Sequence, residues 1–135
     1  MARILVVDDD ALVRRTIVSV LRNAKHAVLE ANDGLPALTL LGRETVDLVI
    51  ADIMMPDLDG IGLILAIRGR HPDLRVLCIS GGGRDASLDF LPMAAKLGAD
   101  MTLAKPFTPQ QLLAAVEAAL GMPTAPKGEN GEAIS

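Results

Sequence analysis

The sequence predicts a three-layer α/β domain built on a parallel sheet. Short apolar runs recur along the chain, segments with helical spacing separate them, and the order is strand then helix five times over. The runs lack polar alternation, as expected of strands covered on both faces. At 135 residues the chain suits one domain, and with 50% hydrophobic residues it can bury a substantial core.

In order, Ile4-Leu5-Val6-Val7 reads as the first buried strand. Val13, Ile17, Val20, Leu21 and Ala24 then repeat on one helical face, with Asp10 as the cap. Ala27-Val28-Leu29 is a weaker strand, followed by a helix candidate over 35–42. Leu48-Val49-Ile50-Ala51 is the third strand and 61–68 the next helix. Val76-Leu77-Cys78-Ile79 is the fourth strand, ahead of a helix over 85–97. Met101-Thr102-Leu103-Ala104 is the fifth strand, of the weaker kind. The last helix carries Leu112, Leu113, Val116, Ala119 and Leu120 on one face. Its start is marked by Thr108 as cap, Pro109 at the first helical position and Gln111 to complete a capping box; Gly121 stops it. The domain is expected over 1–121, with a disordered tail over 122–135, which is rich in Pro, Gly, Glu and Asn.

Composition removes several function classes. The 13 Lys and Arg against 17 Asp and Glu leave a net charge of −4, the wrong sign for a broad nucleic-acid surface. With two Phe and no Tyr or Trp, base-stacking platforms are missing and aliphatic side chains must fill the core. No apolar run reaches the ~18 residues of a membrane span. Asp8, Asp9 and Asp10 interrupt the opening apolar run, so no secretory signal is expected. A single cysteine, Cys78, forms no internal disulfide and fits the reducing cytoplasm.

In a parallel α/β sheet, chemistry collects at the carboxyl ends of the strands. Those ends carry Asp8-Asp9-Asp10, Asp52, Ser80-Gly81-Gly82-Gly83 and Lys105-Pro106. Two carboxylates ~4 Å apart repel by about 4 kcal/mol at an effective dielectric of 20, so gathering Asp8, Asp9 and Asp52 calls for a cation. Hard oxygen ligands favour Mg²⁺, and no His or Cys cluster suggests zinc. A carboxylate can also attack phosphorus. The transferred group then needs its oxygens neutralised, by Mg²⁺, by the Lys105 ammonium, and by the Ser80 hydroxyl with backbone N–H groups, which the small Gly81 lets approach.

These residues resemble the receiver domain of bacterial two-component response regulators. The matching stretches are Ile4 to Asp10, Asp52-Ile53-Met54-Met55-Pro56-Asp57-Leu58-Asp59-Gly60, Ile79-Ser80-Gly81, Gly98-Ala99-Asp100 and Lys105-Pro106-Phe107-Thr108, spanning the chain to about residue 120. The resemblance implies a doubly wound, flavodoxin-like sheet of order 2-1-3-4-5 and Asp52 as phosphoacceptor. It implies Mg²⁺ held by Asp9 and Asp52, with Asp8 acting through water and the Met54 backbone carbonyl completing the set. Lys105, Ser80, Met54 and Gly81 would contact the phosphoryl group, and a cis peptide at Lys105-Pro106 would aim the lysine. The implied donor is a histidine kinase or a histidine phosphotransferase. The implied output is a downstream protein docking on the 85–120 face, which is also a candidate homodimer surface. No nucleic acid or membrane partner is expected, and the receiver is expected to stand alone.

Two features depart from the family pattern. The switch position in the fifth strand, usually aromatic, is Thr102, so coupling is expected to run through Ser80, the 81–84 loop and helix 85–97. The positions that tune phosphoryl loss are Met54 and Gly82, neither suited to hydrogen-bond an attacking water, so self-dephosphorylation is not expected to be especially fast. Competing expectations are a phosphorelay shuttle or phosphate sink, a phosphorylation-independent binding module, and a phosphatase or flavin protein on the same fold. Asp57-Leu58-Asp59-Gly60 also resembles the run of haloacid-dehalogenase-like phosphatases, but no strand leads into it, and a turn with a helix cap is expected. Cys78 is read as core, and His26 and His71 as exposed residues near helix ends.

Overall fold

The computed structural model describes residues 2–53, 60–80 and 98–121. In chain order these form β1 (Arg3–Val7), α1 (Ala11–Asn23), β2 (Ala27–Ala31), α2 (Gly34–Leu41), β3 (Leu48–Asp52), α3 (Gly60–Arg70), β4 (Arg75–Ser80), β5 (Met101–Ala104) and α4 (Pro109–Leu120). The five strands pair in parallel in the order β2-β1-β3-β4-β5, the flavodoxin-like arrangement. The expected helix over 85–97, the 81–84 loop and the 122–135 tail lie outside the described residues.

The two-residue period of a strand divides the core in two. Ile4, Val6, Leu48, Ile50, Leu77 and Ile79 face α1 and α4, meeting Ile17, Leu21, Leu112 and Val116. Leu5, Val7, Val49, Ala51, Val76 and Cys78 face α2 and α3, meeting Ala37, Leu41, Leu63, Ile64 and Ile67. Each fully buried Leu or Ile contributes about 1.5–3 kcal/mol relative to exposure, so both faces of the sheet are strongly held. The central strands β1, β3 and β4 are therefore apolar between their polar ends, whereas β2 and β5 at the edges are only partly covered in the described structure.

The caps follow the sequence reading. Asp10 accepts from Leu12 N and Val13 N at the head of α1. Thr108 and Gln111 form the reciprocal capping box on α4, with Pro109 in its first turn and Gly121 as C-cap. On α1 the buried residues are Ile17, Val18 and Leu21, with Val13 and Val20 half-buried at the margin; the apolar stripe is rotated slightly toward Val18. His26 and His71 are half-buried rather than exposed, and His26 Nδ1 accepts a hydrogen bond from Ala2 N at 3.1 Å, which ties it to the start of β1.

Candidate functional site

All strands run the same way, so their carboxyl ends share one edge. Val7 pairs with Ala51, Asp52 with Ile79, and Ser80 with Ala104. Asp8 therefore follows β1 directly beside Asp52 at the end of β3, and Lys105 follows β5 beside Ser80. The backbone adds a specific tie: Lys105 N donates to Ser80 O at 2.8 Å. The Lys105-Pro106 peptide is cis.

Side chains of Asp8, Asp9 and Asp52 converge there, each offering a carboxylate oxygen within 4.8 Å of the others. Asp8 and Asp52 are buried, at 1% and 6% exposure, while Asp9 faces solvent. Lys105 Nζ lies 3.1 Å from Asp52 Oδ2 and 3.8 Å from Asp8 Oδ2. One ammonium does not balance three carboxylates, which leaves the pocket suited to a divalent cation.

Electrostatics record the same imbalance at Asp8. Burial pushes its carboxyl above the ordinary range, and repulsion from Asp52 and Asp9 adds to this; the Asp10 N–H at 2.9 Å and the Lys105 ammonium pull the other way. A native value above the unfolded one means the folded chain holds the proton more tightly. The stability this confers is present below the unfolded carboxylate value of about 3.9 and is lost as pH rises through the folded value. The ionised form of Asp8 thus works against folding. Asp8→Asn, which keeps an acceptor for Asp10 N, is expected to raise the cation-free Tm at pH 7 above that of the wild type. Thermal melts followed by circular dichroism in EDTA check this, and an unchanged or lower Tm would contradict it.

Ser80 provides the second signature. It is 3% exposed and its Oγ has no hydrogen-bond partner among the described residues. Leaving a buried hydroxyl unsatisfied costs about 1–3 kcal/mol, and such groups in native structures ask for an explanation. Ser80 sits on the strand end next to the carboxylates, so an arriving oxyanion is the natural partner.

Of the residues singled out in the sequence, Asp8, Asp9, Asp52, Ser80 and Lys105 share this edge. Met54, Gly81 and Gly82 lie outside the described residues, as do Asp57 and Asp59. Thr102 is half-buried within β5, opposite Cys78, rather than at the strand end. Cys78 is fully buried, and burial pushes its thiol up to about 12, which keeps it protonated and unreactive.

Two arginines were not legible as partners of these elements. Arg14 on α1 donates through Nη1 to Asp8 O at 2.7 Å and through Nε to Glu30 at 3.1 Å. Arg68 on α3 spreads its guanidinium over Gly98 O, Leu74 O, Pro72 O and Asp100. Arg68 is the first charge after the apolar stretch 61–67 of α3, a weak hint at most.

Among the described residues no helix is long and apolar enough to cross a membrane. A model of the response regulator receiver domain matches residues 4–117. Response regulator MprA of Mycobacterium leprae is 38% identical over 122 residues, which are 87% of this chain and 50% of that protein. Sensor kinase CckA of Brucella abortus is 39% identical over 119 residues, 86% of this chain but 12% of that protein. The chain thus spans half or less of these two curated relatives. Among solved structures, the receiver domain of NtrX from Brucella abortus superposes with a TM-score of 0.81 at 33% identity, covering 89% of this chain and 99% of that one. A putative response regulator from Chloroflexus aurantiacus does so with a TM-score of 0.81 at 32% identity, covering 90% and 98%. With its sheet order, its strand-end acids and a family match over most of its length, the chain belongs to the receiver domains of two-component response regulators.

Proposed function

We propose that the chain accepts a phosphoryl group on Asp52, from the phosphohistidine of a histidine kinase or histidine phosphotransferase, with Mg²⁺ in the acidic cluster. The observation that carries this is the meeting of Asp8, Asp9 and Asp52 oxygens within 4.8 Å, with Lys105 on Asp52. The donor set fits the ion, being three hard carboxylates with no thiolate or imidazole in the group. Asp9 and Asp52 would bind it directly and Asp8 through water, with the Met54 carbonyl as the further protein ligand. When bound, Mg²⁺ supplies positive charge to the carboxylates and to an oxygen of the incoming group.

Asp52 attacks the phosphorus in line, so that an O–P bond forms while the N–P bond to the donor imidazole breaks. The imidazole keeps the electron pair and takes up a proton. Lys105, already on Asp52, neutralises one oxygen of the group, and Ser80 Oγ donates to another, joined by backbone N–H groups around Gly81. The Ser80 hydroxyl gains a partner in this step, which gives phosphorylation a differential contact able to shift an inactive–active equilibrium. The chain in this reading promotes its own phosphorylation and dephosphorylation and is not a turnover enzyme. Its setting is the cytoplasm. Its output is a protein contact through the 85–120 face, or assembly of two copies there. A phosphorelay shuttle or a phosphate sink would use the same chemistry.

Incubation with acetyl phosphate and Mg²⁺, read by intact mass, tests the proposal. One added phosphate is expected, and none when EDTA replaces Mg²⁺. If neither acetyl phosphate nor a phosphohistidine donor labels the chain, the phosphoacceptor reading falls and a phosphorylation-independent binding module takes its place.

A further inference from the structure

We infer that Arg14 is a positioning residue for the cation site, acting through the Asp8–Asp9 peptide. Three contacts define where Asp8 sits. Its N–H donates to Ala31 O at 3.2 Å, its Oδ1 accepts from Asp10 N at 2.9 Å, and its carbonyl accepts from Arg14 Nη1 at 2.7 Å. The first two hold the residue in line with β2 and bend the chain toward α1. The third fixes the plane of the peptide that leads into Asp9, and so the direction in which Asp9 leaves β1.

Asp9 needs that constraint. It is exposed, so packing does little to hold its side chain, yet its carboxylate must lie within 4.8 Å of those of Asp8 and Asp52. Against the repulsion of two neighbouring carboxylates, a free Asp9 would swing outward into water. Arg14 is itself held at its other edge. Its Nε donates to Glu30 on β2 at 3.1 Å, and its side chain is only 16% exposed. A guanidinium suits the task because its planar fork serves two acceptors at once in a fixed geometry; an ammonium would serve them less rigidly. Partners that orient metal ligands without touching the ion commonly change affinity tenfold or more.

The inference rests on the acidic cluster being a cation site, and the test keeps the two apart. Mn²⁺ replaces Mg²⁺ as the probe, with free ion measured by electron paramagnetic resonance, at a temperature where circular dichroism shows every variant folded. Arg14→Ala is expected to weaken Mn²⁺ binding about tenfold. Arg14→Lys should recover part of the loss. Glu30→Ala should weaken binding less, and adding it to Arg14→Ala should cost nothing further, since both act through one chain of contacts. A purely structural role would lower Tm and leave the dissociation constant of the folded protein unmoved. Wild-type binding with Arg14→Ala and Glu30→Ala both within about twofold of it would overturn the inference alone. A wild-type chain that binds no Mn²⁺ would remove the cation-site reading, and this inference with it. Should Arg14→Ala fail to fold, Arg14→Lys and Glu30→Ala carry the same comparison.

Discussion

Asp52→Asn is expected to lose phosphate incorporation altogether, a fall of at least about a thousandfold, while the fold is kept. The amide matches the carboxylate in size and shape, so the end of β3 and its pairing to Ile79 have no steric reason to change. What disappears is the nucleophile of the proposed reaction, because an amide oxygen does not attack phosphorus to give a stable ester at a useful rate. One ligand of the proposed cation and the nearer carboxylate partner of Lys105 Nζ go with it. Ser80→Ala and Lys105→Gln make the natural comparison. In the proposed reaction each removes one group that steadies an oxygen of the transferred phosphoryl, so each should slow labelling by about a hundredfold or more without abolishing it. Intact mass after incubation with acetyl phosphate and Mg²⁺, followed by peptide mapping, reads all three. Undiminished labelling of Asp52→Asn, or labelling mapped to Asp8 or Asp9 in the wild type, would displace Asp52 from its role.

The second large effect is on stability and arises far from the acids. Arg68→Ala is expected to destabilise the domain by about 3–5 kcal/mol, a large fraction of the usual 5–15 kcal/mol. Arg68 Nη2 reaches Asp100 Oδ2 at 2.7 Å, and the Asp100 side chain is 3% exposed. Arg68 Nε and Nη2 both serve Gly98 O, and Nη1 serves Leu74 O and Pro72 O. Asp100 in turn accepts Val76 N at 2.8 Å and donates its own N–H to Val76 O. Without the guanidinium, a buried carboxylate and several carbonyls lose charge-assisted partners in a site that water reaches poorly. Lysine, with one compact charge, should restore little of this. Gly98 belongs to the same device. Its φ is +126°, and a Cβ there would stand 2.8 Å from Arg68 Cγ and Nε. The network joins α3, the start of β4 and the approach to β5, whose far end carries Lys105. Urea unfolding followed by circular dichroism gives the number, as the chain has no Trp for fluorescence. A loss below about 1 kcal/mol would show that the buried pair contributes little net stability.

This network gives a physical reason for a stretch that was legible only as resemblance. Gly98-Ala99-Asp100 marked the family in the sequence, yet its work is to seat Arg68 and to align β5 with β4. The strand-end residues were legible for a different reason. Alternating strands and helices imply parallel strands, and parallel strands put Asp8, Asp52, Ser80 and Lys105 on one edge whatever the details between them. Helix caps at Asp10 and Thr108 were legible because donor and acceptor lie within three residues of one another. His26 was misjudged because solvent exposure near a helix end depends on distant parts of the chain, and Ala2 reaches it from 24 residues away.

The amino-acid sequence by itself determined the order of the described elements, the two apolar faces of each central strand, the caps, and the set of acids, hydroxyl and lysine at the strand ends. These depend on spacing and on side-chain chemistry that acts over a few residues. Only the tertiary structure decided that the three carboxylates meet within 4.8 Å, that Lys105 favours Asp52 over Asp8, and that Ser80 Oγ has no hydrogen-bond partner among the described residues. It alone decided the partners of Arg14 and Arg68, which lie 16 to 32 residues away for Glu30, Gly98 and Asp100. A guanidinium on a helix has many acceptors within reach of its sequence neighbours. Which of them it meets is set by how helices pack on the sheet, a property of the whole fold and not of any window along the chain.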